Sequence, residues 1–575
     1  MRITYCKSIL LCALFLIAGN VCGDELLRRL PTTTRLLFRV ENGKQWVDQF
    51  DKTAIHGVMY SDAFKPLREY LGVASDGMPA LQQAGLRTKD IRQLAQGELI
   101  LARVDSADAS SPRATATAFE VDFETARRVF DDMRAEGKRH GATVRSLRKN
   151  ASDSSFVVEL SWPKRSERWI YNYSDGVFSV CDSIWLSSFL LSRHDNSLDQ
   201  SDAYRKIMSN TQSKEDGVEV QWFVRPWDLA NDSETKAQLS AQGFGDISAI
   251  GGRLNLLGDR TVHRSFVVAK RPLRRAASGL AFVSGGVPQL PGWMTGVSSC
   301  LATRMDFSTA FKGYGYWFDE THGGGEEGLF EMVLEDIRDE PGSPRVDIRK
   351  SIVEQLSGPL LSLVVSVDQA VDKTEERVFA VKVQNSQIVG TAIDGLLKGD
   401  EDVHRLKLDQ YPAWKFGDLS QGGTRQVLGP DLSGLCLCLA RGYFIAAPKE
   451  DALRSLLSAK QDDSSPSLTQ QMQEASQKLG ITESIGFGCS ESLGPIGRLY
   501  ERVAGLQARQ DAKAAAIPEV LKMFHIEASD EQINEMRSKL PRVVELAKLF
   551  GGSVDAAEEV EDGWFVQGIV WNRSP

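Results

Sequence analysis

The sequence predicts an α+β protein, with antiparallel sheets carrying amphipathic helices on one face, arranged as two duplicated halves. Three observations predict it. In residues 119–133 (FEVDFETARRVFDDM), Ala126, Val129, Phe130 and Met133 recur at i, i+3, i+4 and i+7, the stripe of a helix with one buried face. In residues 379–397 (FAVKVQNSQIVGTAIDGLL), Val389, Ala392, Ile393 and Leu396 form the same stripe, each 263 residues after its counterpart. The strands ahead of the two helices keep nearly that offset, so a strand–helix–strand unit reads as used twice.

The chain opens on an address. Arg2 and Lys7 precede the apolar run 9–19 (ILLCALFLIAG), too short to span a bilayer comfortably and followed by small residues, as in a secretory signal peptide. Cleavage after Gly23 suits Val21 and Gly23, and gives a signal peptide of residues 1–23. The competing reading is a lipid anchor at Cys22, but Gly19-Asn20-Val21 lacks the usual small residue immediately before such a cysteine. No later stretch holds 18 consecutive apolar residues, so no transmembrane helix is expected in the mature chain. The expected location is secreted or periplasmic, with a lipid-anchored form as the alternative.

Removing 23 of 575 residues leaves 552, enough for several domains at roughly 100–200 residues each. With 42% hydrophobic and 25% charged residues the chain is ordinary and globular. Without Arg2 and Lys7, 66 basic residues stand against 77 acidic ones, and the resulting charge of −11 argues against nucleic acid as a partner. Five cysteines remain, Cys181, Cys300, Cys436, Cys438 and Cys489, too widely spaced for a small disulfide scaffold. Cys436 and Cys438 would share one face of a strand, either as a redox or metal pair or, the preferred reading, as two small buried side chains.

Taken in order, the elements begin with a strand over 36–40 (LLFRV), a helix through Trp46 and Phe50, and another through Phe64, Leu67 and Leu71. Asp90-Ile91-Arg92 leads into a strand at 98–104, and the first repeated unit follows. The later copy matches Arg39 with Arg304, Asp90-Ile91-Arg92 with Asp347-Ile348-Arg349, and 98–104 with 361–367. Each unit closes on a hairpin, with Asp175-Gly176 in one and Arg441-Gly442 in the other at the turn, followed by short helices over 185–191 and 452–457. Gly251-Gly252 and Gly551-Gly552 precede the last strands of each half at an offset of 300. The Gly- and Pro-rich stretch 284–296 (SGGVPQLPGWMTG) is the natural junction, giving halves 24–283 and 297–575. A polar stretch at 461–469 and a terminal helix from Ser529-Asp530 through Ile533, Met536 and Leu540 complete the second half.

The order of short motifs carries a resemblance. The run from Leu30 to Val40 (LPTTTRLLFRV), Asp62 to Leu67 (DAFKPL), Phe223 to Trp227 (FVRPW) and Ala249 to Gly252 (AIGG), behind an export leader, resembles large secreted proteins of unknown function from planctomycete-type bacteria. The resemblance implies export and no particular chemistry, so no site residue is carried over from it.

The residues themselves point to no catalytic, cofactor-binding or metal-ligating set. His56, His140, His194, His263, His322, His404 and His525 are scattered, with no H-E-x-x-H or paired C-x-x-C. Two S-x-x-K matches, at Ser146 and Ser161, lack their companion motifs, and no G-x-S-x-G occurs. The glycine-rich 322–329 (HGGGEEGL) precedes a helix but carries Glu326 and Glu327 where phosphate would sit, so a turn is the better reading. The basic run 270–275 (KRPLRR) reads as a solvated loop, acidic runs at 400–402 and 558–562 lack an EF-hand pattern, and aromatic clusters at 222–227 and 314–318 read as core more readily than as a ligand site.

The expected function is therefore an exported, non-enzymatic binding or scaffold protein of the cell envelope, with no cofactor. Its expected partner is an envelope protein or an apolar ligand. A carrier of an apolar ligand is the alternative, and a hydrolase with a polar constellation at the junction of the halves is third. N-terminal sequencing of the exported protein is expected to read from near Asp24; Met1 retained on a cytoplasmic protein would contradict export.

Overall fold

The computed structural model describes residues 25–50, 88–106, 113–147, 154–162, 167–213, 217–229, 233–294, 296–368, 373–417, 434–458, 468–491 and 550–572, with a few single positions between. The leader, the helix expected through Phe64, Leu67 and Leu71, most of 461–469 and the terminal helix from Ser529 lie outside the described residues.

The first ten strands are β1 (Thr34–Val40), β2 (Leu99–Val104), β3 (Ala114–Glu120), β4 (Thr143–Ser146), β5 (Phe156–Trp162), β6 (Glu167–Ser174), β7 (Val177–Cys181), β8 (Val218–Val224), β9 (Ile247–Leu256) and β10 (Arg260–Ala269). The next ten are β11 (Val297–Arg304), β12 (Leu356–Asp368), β13 (Lys373–Val383), β14 (Val403–Leu408), β15 (Tyr411–Phe416), β16 (Cys436–Ala440), β17 (Tyr443–Ala447), β18 (Gly486–Ser490), β19 (Phe550–Val560) and β20 (Gly563–Asn572). Helices α1 (Gly43–Phe50), α2 (Thr88–Leu94), α3 (Phe123–Arg139), α4 (Ile184–Leu190), α5 (Asp202–Asn210) and α6 (Ser233–Ala241) lie among the first set. Among the second lie α7 (Phe307–His322), α8 (Leu329–Asp339), α9 (Ile348–Ser351), α10 (Ser386–Leu396), α11 (Glu450–Ser458) and α12 (Leu468–Leu479). The protein is thus α+β.

Every strand pairing is antiparallel, and the pairings join the twenty strands into one sheet, in the order β4-β5-β6-β7-β3-β2-β1-β8-β9-β10-β20-β19-β18-β11-β12-β13-β17-β16-β15-β14. Each of the first ten strands stands as far from the β10–β20 seam as the strand numbered ten higher. The two outermost strands carry the features that discourage edge-to-edge pairing: β4 is four residues long, and β14 is studded with His404, Arg405 and Lys407.

Helices cover both faces of the sheet, which corrects the expectation of one covered face. Alternate residues of each strand feed opposite cores, as the pleat requires. On the upper face Phe119 and Tyr171 pack with Phe130 of α3; on the lower face Ala118 and Ile170 pack with Leu186 of α4 and Ile207 of α5. In the second half α10 packs Val389 and Ile393 on Trp414 and Leu439 above, while α11 and α12 pack Leu453, Leu456 and Met472 on Cys436, Ile445 and Phe487 below. The short helices expected over 185–191 and 452–457 are α4 and α11, but a helix stripe does not say which face of a sheet it covers.

Local signals account for the element boundaries. Asp122 accepts the Thr125 amide at 2.8 Å to start α3, Asp306 accepts the amides of Ser308 and Thr309 to start α7, and Asn385 does the same for Gln387 and Ile388 at α10. Asp175 and Gly176 turn the β6–β7 hairpin with φ of 52° and 79°, and Arg441 and Gly442 repeat the values at β16–β17.

Register revises two of the motif matches. Leu36 and Ser299 hold equivalent places in β1 and β11, so Arg39 shares its place with Ala302 and not with Arg304, whose guanidinium contacts the Gly286 carbonyl. In the β9–β10 hairpin Ile250 faces Val267, and in β19–β20 Ser553 faces Val570, an offset of 303. Gly251-Gly252 therefore shares places with Val554-Asp555, and Gly551-Gly552 falls three residues earlier. Pairing constrains every residue of a strand at once, whereas a two-glycine motif constrains two.

Truncating Phe130 to alanine removes a ring stacked on Phe156 at 4.7 Å in a closed core. The expected loss is about 3–5 kcal/mol, against about 1 kcal/mol for Asp122→Ala at the helix cap, both read from denaturant midpoints.

Candidate functional site

One row of upper-face side chains crosses the sheet and exposes the asymmetry from which a site emerges. On one side of the seam the paired residues are Val158, Tyr171, Val180, Thr117, Leu101, Phe38, Trp222 and Gly252. Most are large, and α1, α2 and α3 close over them through Trp46, Leu94 and Phe130. On the other side the same row reads Trp414, Leu437, Ala446, Phe379, Ser362, Leu301, Gly488 and Asp555. Its middle is built of small residues around two apolar ones.

The cover differs as well. α10 has 11 residues against 17 in α3, and it reaches only the outer strands through Val383, Trp414 and Leu439. α7, which follows β11 as α1 follows β1, packs chiefly against 275–279 and α8. The result is an open apolar band: Phe379 is 45% exposed where Thr117, in the equivalent place, is 7% exposed. Leu301, Ser362, Val364 and Thr303 beside it are only partly buried.

The band ends at the seam on His263 and Asp555, which flank Gly568 in register. A side chain at Gly568 would collide with His263 Nε2 and with the Val554 carbonyl, so close approach requires that glycine, while one at Gly488 would displace the Asp555 carboxylate. Burial pulls the His263 pKa down, and the Asp555 carboxylate opposes that shift. A neutral imidazole beside a carboxylate can accept or relay a proton. Ser553, on the same face of β19, keeps a buried hydroxyl with no hydrogen-bond partner among the described residues.

A second polar cluster is fully internal. Arg39 Nε donates to Glu98 Oε1 at 2.6 Å and its Nη1 to Gln221 Oε1 at 3.0 Å; the Tyr204 hydroxyl donates to the same Gln221 oxygen at 3.0 Å. Gln221 in turn donates to Glu41 and Glu219, and the Leu26 amide donates to Glu98 at 3.1 Å. The network ties β1, β2, β8, α5 and the 25–30 segment together and is closed to substrate. Burial pushes the Glu98 carboxyl up to about 7, offset only in part by Arg39 and the Leu26 amide.

The other sequence candidates fall to structural roles. The thiols of Cys436 and Cys438 are buried and pushed up to about 11 and about 12, chiefly by burial, so the small-side-chain reading stands. The start of α8 is already occupied: Asp319 accepts the amides of Gly328 at 2.8 Å and Phe330 at 2.7 Å, where an incoming anion would sit. The basic run is used internally, with Arg271 on Glu559, Arg274 on Asp246 and Arg275 on Glu327. Trp222 and Phe223 are core, but the cluster at 314–318 is split: Trp317 meets Phe244 edge-on at 6.2 Å, while Tyr314 is 52% exposed. Ser146 and Ser161 lie in β4 and β5, and the lysines of their motifs lie outside the described residues. A cavity of about 560 Å³ beside the β6–β7 turn is lined by Phe123, Tyr173, Leu191 and Ser192, with the Tyr173 hydroxyl already bound to the Val121 carbonyl. Among the described residues no group of three His, Cys, Asp or Glu could hold a metal ion, and no helix is long and apolar enough to cross a membrane.

Glu98 gives a pH dependence with a definite sign. Its folded value of about 7 lies above the ordinary 4.5, so its contribution is complete below about pH 4.5 and is lost as pH rises through 7. The unfolding free energy should therefore fall by an amount on the order of 3 kcal/mol between acid and mildly alkaline pH, and Glu98→Gln should flatten the profile.

No family model matches the chain, and no curated protein matches it. Two solved structures are similar over part of it: crystal form I of TP0453, at 10% identity and a TM-score of 0.23, over 44% of this chain and 81% of that one, and crystal form III of TP0453, at 9% identity and a TM-score of 0.24, over 44% and 82%. A likeness that weak carries no argument about fold or role.

Proposed function

We propose that this chain is an exported binding or scaffold protein of the cell envelope, built from two halves of one duplicated fold, and that it works without turnover. The observation that carries the reading is the open apolar band around Phe379 and Leu301, at the place that three helices cover in the first half. Leaving a phenylalanine of a β-sheet in water forfeits burial worth about 1.5–3 kcal/mol, a cost that an apolar ligand or partner segment would recover. The duplication is supported by the symmetric strand order about the β10–β20 seam and by the 303-residue register match of its hairpins. Export rests on the leader in the sequence.

Because the band is apolar, its floor is small and its rim is polar, a carrier of an apolar ligand is the second reading. The hydrolase reading has one observation behind it, the His263–Asp555 pair at the seam, where that reading needs its titratable groups.

Native mass spectrometry of protein from envelope extracts is expected to find a co-purifying apolar ligand or an envelope protein. With a fluorescent fatty acid as probe, Phe379→Asp and Leu301→Asp should each weaken binding about tenfold or more, while Ile184→Asp, at an exposed apolar residue elsewhere, should not. Ester, peptide, glycoside and phosphoester panels should give no turnover. Turnover abolished by His263→Gln in a folded protein would replace the binding reading with the hydrolytic one.

A further inference from the structure

Four arginines from four neighbouring strands meet at one end of the first-half sheet. Arg35 sits at the bulge of β1, where the register slips between Thr34 and Leu36, and Arg103 of β2 stands opposite Leu36. Arg113 immediately precedes β3, and Arg225 immediately follows β8, its amide donating to the Arg35 carbonyl at 2.8 Å. Three carboxylates lie among them. Asp105 contacts Arg35 and, at 3.4 Å, Arg113; Asp228 is engaged by Lys236; Asp182 accepts the Thr115 amide at 2.9 Å. Counting Lys236, five cations face three anions.

The donors are also incompletely used. Arg225 Nη2 reaches the Thr32 carbonyl at 2.9 Å and its guanidinium lies over Phe223, yet its Nε is buried with no partner among the described residues. Arg35 is 11% exposed, and its Nε and Nη1 are likewise buried without partners. Burial first, then Arg113, with Arg103 and Arg225 adding to it against Asp228, pull Arg35 down to about 10. Its charge is thus held at a cost that Asp105 and Asp228 offset only in part.

The fold does not require this arrangement. The second half builds the same bulge, between Val297 and Ser299, and the same closing bond, from the Glu491 amide to the Ser298 carbonyl at 2.9 Å. There the places of Arg35, Arg103, Arg225 and Arg113 are held by Ser298, Val364, Glu491 and Glu375. A strand end that works with two glutamates has no structural need of four arginines.

We propose that Arg35 and Arg225, backed by Arg103 and Arg113, form a binding site for a phosphate-type oxyanion, free or carried on a lipid headgroup. Three guanidinium nitrogens on two side chains without partners among the described residues suit the several acceptor oxygens of one tetrahedral anion, and Arg presents them in a fixed planar fork. The site is separate from the apolar band and does not rest on its reading.

The test uses the full mature chain. Inorganic phosphate, titrated at constant ionic strength against chloride, should raise the thermal midpoint and give saturable heat in calorimetry; vesicles containing phosphatidylglycerol, run against phosphatidylcholine vesicles, tell a headgroup source from a free one. Arg35→Gln and Arg225→Gln, checked by circular dichroism, should each weaken binding about tenfold or more, Arg103→Gln less, and the exposed Arg128→Gln not at all. Binding in either arm with that ranking supports the site. Absence of binding in both arms, binding indifferent to Arg35 and Arg225, or binding of polyglutamate alone would overturn it.

Discussion

The pairing of β10 with β20 is the constraint on which the architecture depends. From Arg260 opposite Trp571 to Val268 opposite Gly563, the strand that ends the first half is joined to the strand that ends the chain. Without it each half would present a long edge of unsatisfied amides and carbonyls. With it, the edges left to the sheet among the described residues are a four-residue strand and a charged one. The same pairing sets the spacing of everything else, since register propagates outward strand by strand from the seam.

That symmetry of backbone makes the asymmetry of side chains informative. Equivalent places carry Thr117 and Phe379, one buried and one left in the open, because α10 is shorter and α7 lies against α8 and 275–279. Equivalent strand ends carry arginines in one half and glutamates in the other. Where two halves share a backbone plan, a difference between them cannot be charged to the demands of folding. Both candidate sites were found by that comparison.

The buried Arg39–Glu98–Gln221 network belongs to the opposite category. Its members are shielded by the 25–30 segment, whose Leu26, Leu27 and Leu30 are buried, and their hydrogen bonds go to one another. It fixes how the first strands, α5 and the chain's opening segment meet, and it makes stability sensitive to pH through a carboxyl that water does not reach.

The sequence by itself determined the local structure. The stripe Ala126, Val129, Phe130, Met133 names a buried helical face because periodicity is a property of neighbouring residues, and Asp175-Gly176 names a turn because its positive φ is local. The likeness of the two helical stripes was legible for the same reason, although the short motifs matched Arg39 with Arg304 and Gly251-Gly252 with Gly551-Gly552, places that strand pairing does not make equivalent. Only the tertiary structure decided which face each helix covers, that the two halves share one sheet, and that Arg35 meets Arg225 or His263 meets Asp555. Those residues lie hundreds of positions apart in some cases, and nothing in their own neighbourhoods records the partner. They are brought together by strand pairing, which is a property of the whole chain.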